Sequence, residues 1–422
     1  MDGDADGDNK MKAVVFTLGC KVNECESDAL ISGLKDCGYE VSDKLVPADL
    51  YIVNTCAVTK EAERKSRQMQ ARIHRLNPAA KVIFTGCACE KDAAAFVKKN
   101  AGNLVTGVFN KNEILTMLDE SGERVFPQAN DYEELPAVTT FRSRAFIKVE
   151  DGCDYFCSYC IIPYLRGRAR SRDPESAVAE IKKISPLEAV ITGINLSAYN
   201  YNGEGLTGLI KALKPIKTRI RLSSLEANVI SEEFLTELKG LYNFAPHFHL
   251  SLQSGSNAVL KKMNRRYTAE EYIGKCELIR KFFPTAAITT DIIAGFPTET
   301  EENFKETLTL IDRVKFADIH VFTFSKREGT AAYKMPDLSP EVKKARTDAL
   351  LKKKSDCKRR FAEFMAGREE EILCEQYKDG YTEGYSKNYL RLYIKGKAEG
   401  IKKVLIGRPY KDGATAEIID KK

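Results

Sequence analysis

The chain has 422 residues, with 43% hydrophobic and 30% charged side chains. This is a globular composition, long enough for about three domains without disulfide staples. Lys plus Arg number 66 against 60 Asp plus Glu, so the +6 formal charge names no partner until its placement is read. No apolar run approaches the roughly 18–20 residues that cross a bilayer, which excludes a helical membrane protein; twelve Cys without a secretory signal point to metal or redox chemistry in a cytoplasmic chain.

The opening MDGDADGDNK is acidic and polar and is expected to be a disordered leader ahead of Met11. From there strand and helix patterns alternate. Ala13–Thr17, Leu50–Val53 and Val82–Thr85 are apolar strand runs. Ser27–Gly38 has helical spacing, and a charged helix runs from Thr59 to Leu76, closed by Asn77-Pro78. Such alternation predicts an open parallel α/β sheet over residues 11–125. Val125–Arg142 lacks periodicity and reads as a linker.

A second α/β series occupies residues 141–342. Its strand candidates are Ala145–Val149, Ala189–Thr192, Arg219–Leu222, His247–Leu252, Ala287–Ile293 and Ala317–Phe322. Six strand–helix units predict a partial (β/α)6 barrel, with function at the C-terminal strand ends by analogy with full barrels. Residues 343–360 form a connecting helix with nine Lys/Arg against Asp348 and Asp356. The tail, residues 361–422, reads as short strands punctuated by glycine, the pattern of a small antiparallel barrel.

The densest chemistry is Cys153-Asp-Tyr-Phe-Cys157-Ser-Tyr-Cys160. Three thiolates on a loop after a strand can hold three irons of a [4Fe–4S] cluster and leave the fourth open to a substrate. A zinc site or three unrelated buried Cys are the alternatives. Zinc would ordinarily want a fourth protein ligand and C-x2-C pairs, and no second pair lies nearby. Cys20, Cys56 and Cys87 each end a predicted strand, and parallel strands deliver those ends to one edge. By themselves they read equally well as buried structural Cys. Cys37, Cys276, Cys357 and Cys374 look structural. The four His give no metal constellation; His247 and His249 share one strand face as an ordinary inward pair.

The segment VEDGCDYFCSYCIIPYLRGRARSR resembles the radical S-adenosylmethionine (SAM) enzymes, and more closely their methylthiotransferase family. GCKVNECES, VNTCAVT and TGCACE precede it; ITGINLSAY, RLSSLEAN, HLSLQSGSNAVLKKMNRRY and TDIIAGFPTETEENF follow, so the likeness covers nearly the whole chain. It implies that Cys153, Cys157 and Cys160 bind the catalytic [4Fe–4S] cluster. Cys20, Cys56 and Cys87 would bind an auxiliary one that carries sulfur, with SAM as radical source and methyl donor. A 5′-deoxyadenosyl radical would abstract hydrogen from an unactivated carbon, and both clusters would face one cavity. Cys89 stands where the family usually has alanine and competes with Cys87 as ligand, with Cys87 favoured; Cys25 is a weaker alternative to Cys20. Glu90 stands where the family usually has glutamine.

Candidate SAM contacts are Tyr159 in the loop, Gly193 after the second strand, Ser223 and Glu226 after the third, Gln253 after the fourth and Asp291 in the fifth. Arg166, Arg168, Arg170 and Arg172 leave the cluster loop and read as anion contacts, to RNA phosphate or a substrate carboxylate. In the tail, Lys387, Arg391, Lys395 and Lys397 lie among eight cations opposed only by Glu399, interleaved with Tyr385, Tyr389 and Tyr393. That footprint, on what resembles the family's small TRAM-like RNA-binding barrel, predicts tRNA affinity without chemistry.

Within the family, GCKVNE and IIPYLRGRARSR look most like the enzymes acting on N6-threonylcarbamoyladenosine at position 37, in the tRNA anticodon loop. The other family substrates are isopentenyladenosine in tRNA and an aspartate of a ribosomal protein. The resemblance further implies an electron donor of flavodoxin or ferredoxin type. A non-enzymatic iron–sulfur RNA-binding protein would need all irons protein-ligated, which the open triplet opposes.

Overall fold

The computed structural model describes residues 10–98, 102–135 and 142–419, so the expected leader through Asn9 and linker positions 136–141 lie outside the described residues. Two compact units divide the chain. One holds residues up to Phe141 together with Ile161–Arg170, and the other holds Arg142–Cys160 and Ser171–Lys422. Among the described residues no helix is long and apolar enough to cross a membrane.

The first unit is a six-stranded, wholly parallel sheet built from β1 (Lys12–Thr17), β2 (Glu40–Ser42), β3 (Leu50–Thr55), β4 (Lys81–Gly86), β5 (Leu104–Thr106) and β6 (Gly122–Arg124). The spatial order is β2-β1-β3-β4-β5-β6, with the order reversing between β1 and β3. β3 is buried along its whole length, as its central position requires. The three-residue strands β2, β5 and β6 were too short to show periodicity in the sequence.

Helix α1 runs Lys21–Asp36, two turns earlier than the apolar spacing predicted. Its first turns bury Asn23, Glu26, Ser27 and Asp28, whose polarity hides the buried face from a hydrophobic count. Helix α2, Lys60–Leu76, begins where the Thr59 hydroxyl accepts the Ala62 N–H at 3.1 Å, and Asn77 closes it.

The second unit contains six parallel core strands: Arg144–Lys148, Glu188–Thr192, Arg219–Leu222, His247–Leu250, Ala287–Ala294 and Asp318–Thr323. Backbone ladders join the first three and the last three, and a bridge from Ile220 to Phe244 links the groups. One apolar core packs the outward strand faces, including Ile147, Phe248, Ile288, Ile292 and Ile319, under the helices. The basic helix extends over Pro340–Met365, beyond both predicted ends, because Ser339 caps it and Ala362 and Met365 are buried.

Five tail strands, Glu369–Lys378, Tyr381–Ser386, Arg391–Lys395, Ile401–Tyr410 and Gly413–Ile418, close into a barrel. Four neighbouring pairs are antiparallel; Arg391–Lys395 and Gly413–Ile418 run parallel.

Tail and core are joined through charge. Glu188 lies 2.8 Å from Arg221, 3.6 Å from Arg219 and 3.7 Å from Arg144, and is 1% exposed. From the tail, Glu375 pairs with Arg144 and Glu371 with Arg219. Tyr389 stacks on His247 at 4.5 Å and lies under Arg221; Tyr385 stacks on Tyr389. These two tyrosines, expected to offer faces to RNA, are instead used within the protein. The tail keeps an apolar core of its own, with Leu392, Ile394 and Val404, and these charged and stacked contacts tie it to the core strands.

Burial alone would raise the Glu188 pKa, but Arg221, Arg144 and Arg219 prevail and hold it below the usual carboxylate value. Glu188→Gln leaves buried guanidinium groups short of a counter-charge and should cost about 3–5 kcal/mol in thermal or urea unfolding. A depressed folded pKa stabilises above the unfolded value and is lost as pH falls through the folded one. The gap between wild type and variant should therefore narrow below about pH 4. Equal melting temperatures at neutral pH would refute this.

Candidate functional sites

In the first unit, Cys20 follows β1, Cys56 follows β3 and Cys87 follows β4. All three stand at C-terminal strand ends, the first two on either side of the switch in strand order where such sheets form a crevice. The thiols are mutual electrostatic neighbours. Burial foremost, then Cys87 and later Cys20, push the Cys56 thiol up to about 12; burial also raises Cys87, with Cys20 adding to it against Arg166. The Cys56 and Cys87 thiols, kept protonated by burial, would give up those protons to a bound metal centre.

Cys89 is set apart. Its sulfur lies 3.5 Å from the Thr55 hydroxyl, burial pushes it up to about 12, and among the thiols only Cys87 acts on it. Cys25 is buried on α1. The chemistry and convergence of Cys20, Cys56 and Cys87 fit an iron–sulfur cluster.

The surrounding frame is rigid. Gly86 has φ +95°, and a Cβ there would lie 2.5 Å from the Asn54 Oδ1 and 2.6 Å from the Thr55 carbonyl oxygen. Asn23 donates to the Leu18 carbonyl, the Asn54 side chain and the Thr55 carbonyl at 3.0–3.2 Å. Asn54 donates back to the Asn23 carbonyl at 3.0 Å.

Arg166 belongs to this same unit. It is 0% exposed, donates from Nη1 to Glu26 at 2.8 Å and from Nη2 to Asn23 at 3.1 Å, and points Nε at the Cys87 sulfur at 3.4 Å. Lys111 Nζ stands 3.4 Å from the same Glu26. The expected role of Arg166 as an anion contact is thus corrected: its guanidinium is spent on a buried carboxylate and a thiol. Arg170 is likewise buried, donating to the carbonyls of Arg166 and Arg168 at 2.8 and 2.9 Å. In the second unit Arg172 pairs with Glu180. Of the four, Arg168 is the exposed one.

In the second unit the Cys153–Cys160 loop follows the first core strand. Phe156 takes a left-handed backbone, φ 45°, inside it. Asn264 holds that turn by donating to the carbonyls of Tyr155 and Phe156 at 3.3 and 3.1 Å. Asn195 Nδ2 lies 3.6 Å from the Cys153 sulfur, and Arg265 Nη1 lies 3.3 Å from that of Cys157. Burial first, then the Glu150 and Cys157 charges, lift Cys153 to about 11 against two hydrogen bonds that lower it. Three thiols on one short loop, with amide and guanidinium donors aimed at two of them, fit a three-cysteine cluster site. Asn195, Asn264 and Arg265 carry no spacing signal and were missed in the sequence.

The expected SAM contacts stand around the strand ends. A Cβ on Gly193 would lie 2.6 Å from Glu150 Oε2, so only glycine fits. The Ser223 hydroxyl is buried without a hydrogen-bond partner. Glu226 pairs with Arg265, and Gln253 holds φ 71°. Tyr159 packs against the cluster containing Ile293, Phe296 and Phe324. Asp291 departs from expectation: its carboxylate is taken by His249 at 3.3 Å and His320 at 3.2 Å. This grouping also corrects the reading that the histidines form no constellation; His320 was not paired with His249 because strands, not spacing, unite them.

In the tail, Lys387 pairs with Glu371 at 3.1 Å, and Arg391 with Glu383 and with Asp412 at 3.1 Å. Lys395 and Lys397 lie exposed, the latter 3.4 Å from Glu399.

The Radical SAM superfamily matches residues 147–311, and the Uncharacterized protein family UPF0004 matches residues 12–107. The threonylcarbamoyladenosine tRNA methylthiotransferase MtaB of Bacillus subtilis (strain 168) is 36% identical over 97% of this chain and 98% of its own. A tRNA-2-methylthio-N(6)-dimethylallyladenosine synthase of Natranaerobius thermophilus is 34% identical over 87% of this chain and 86% of its own. Among solved structures, the radical SAM methyltransferase TsrM from Kitasatospora setae, with cobalamin and a [4Fe-4S] cluster bound, superposes with a TM-score of 0.57. Identity is 14%, over 77% of this chain and 74% of that one, a likeness of fold.

Proposed function

The chain belongs to the radical SAM tRNA methylthiotransferases, and from that premise we propose that it converts N6-threonylcarbamoyladenosine at position 37 of tRNA to its 2-methylthio derivative. The observation that carries the reading is a set of three converging thiols in one unit and a three-cysteine loop in the other. Cys153, Cys157 and Cys160 would hold a [4Fe–4S] cluster that cleaves SAM to a carbon radical, and Cys20, Cys56 and Cys87 a second that carries sulfur.

The protein's own side chains bind and orient. Ser223 offers a buried hydroxyl to a bound SAM, with Tyr159, Glu226, Gln253 and Gly193, whose missing Cβ makes room for Glu150, beside it. Arg265 holds Glu226 and aims a donor at Cys157, fixing both against the loop. Lys395 and Lys397 supply phosphate contacts to the anticodon arm, and a flavodoxin- or ferredoxin-type protein delivers the electron.

The threonylcarbamoyl group carries a carboxylate, for which guanidinium is the best-matched partner. Arg168 is the exposed arginine of its segment and is assigned that contact. Arg168→Ala should lose about 1.5–3 kcal/mol of transition-state stabilisation on threonylcarbamoylated tRNA, read as kcat/KM. Wild type acting on isopentenylated tRNA alone would overturn the substrate. Undiminished Arg168→Ala activity would remove only the residue.

A further inference from the structure

We propose that His249, Asp291 and His320 form a binding site for a divalent transition metal ion, separate from both cysteine sets. The three residues come from the fourth, fifth and sixth core strands, on the strand faces opposite the apolar core that holds Phe248, Ile292 and Ile319. Both imidazoles converge on one oxygen, Asp291 Oδ1, from His249 Nε2 at 3.3 Å and His320 Nδ1 at 3.2 Å. All three donor atoms lie within 4.8 Å of one another. Tetrahedral donors about 2.0–2.1 Å from a zinc ion stand about 3.3 Å apart, so small side-chain adjustments seat the ion.

One outer contact is of the kind a metal-ligating imidazole ordinarily makes. Thr289 Oγ1 lies 2.9 Å from His249 Nδ1 and fixes which nitrogen faces Asp291. The far nitrogen of His320, Nε2, is 4.0 Å from Asp318 Oδ2, too far for a hydrogen bond, and Lys354 holds that carboxylate at 2.9 Å. Two nitrogens and one carboxylate oxygen suit zinc, ferrous iron, nickel or cobalt and disfavour calcium or magnesium. His320 is 46% exposed at its side chain and Asp291 is 23% exposed, so an ion has an entry path. Three protein donors also leave coordination positions open for water or an anionic oxygen of a substrate.

The test uses full-length protein with iron and sulfide reconstituted anaerobically, then titrated with zinc sulfate against a chromophoric chelator. One zinc per chain should bind, with a zinc-edge X-ray absorption shell of nitrogen and oxygen at about 2.0–2.1 Å and none of sulfur. His320→Ala, at a half-exposed position that the core does not need, should weaken zinc at least about 100-fold. Thr289→Val should weaken it about 10–100-fold, with cluster absorbance unchanged in both variants. Failure to bind zinc, a sulfur shell, or equal affinity in His320→Ala would each overturn the site.

Discussion

Replacing Cys153, Cys157 and Cys160 together by Ala should leave about four of about eight irons per chain and abolish SAM cleavage. The expectation follows from the division of the molecule. Cys20, Cys56 and Cys87 sit on an open sheet with its own apolar core of Val15, Ile31, Leu34, Ile52 and Ile83. The deleted thiols sit on a loop whose own backbone bonds run to Met263 and Ala332 in the other unit. Each set is thus carried by elements of its own unit. Iron and sulfide analysis with Mössbauer spectra reads the count. A variant devoid of iron, or zinc in place of iron in the native protein, would defeat the assignment.

Arg166→Met should destabilise the protein by about 3 kcal/mol and lower the midpoint potential of the auxiliary cluster. Stranding a buried charge generally costs about 3–5 kcal/mol, and the lower figure applies because Lys111 still faces Glu26. The potential should fall because reduction adds negative charge, which a cation and an N–H aimed at the Cys87 sulfur stabilise. Arg166→Lys separates the two effects: it keeps charge near Glu26 and loses the planar Nε contact. An EPR-monitored redox titration in the Cys153/Cys157/Cys160→Ala background sees the auxiliary cluster alone. An unchanged midpoint in Arg166→Met would sink the electrostatic account, whatever the stability.

Legibility in the sequence followed local signal. Long β-branched runs such as those ending at Thr55 and Gly86 were visible because both faces of a central parallel strand are apolar. The cysteine loop was visible because its ligands are close in sequence. The buried Glu26–Arg166–Lys111 cluster was not, since its members are up to 140 positions apart and charge ordinarily reads as surface. The same bias made Arg166, Arg170 and Arg172 look like a run of free cations, when backbone carbonyls and carboxylates already hold them. Tyr385 and Tyr389 misled for the converse reason: aromatic and basic residues mark both RNA faces and internal stacks, and only tertiary contact tells them apart.

The membership of Ile161–Arg170 in the first unit has a consequence for how the molecule is made. A ribosome emits Glu26 140 residues before its partner Arg166. At about 5–20 residues per second, the carboxylate waits roughly 7–28 s for that guanidinium. Lys111, its other cationic neighbour, follows Glu26 by only part of that interval, and until Arg166 arrives the sheet can collapse but cannot close over an ionised side chain without cost. Completion of the amino-terminal sheet is thereby timed to the emergence of Cys153, Cys157 and Cys160, so nascent chains stalled before Arg166 should be the protease-sensitive ones.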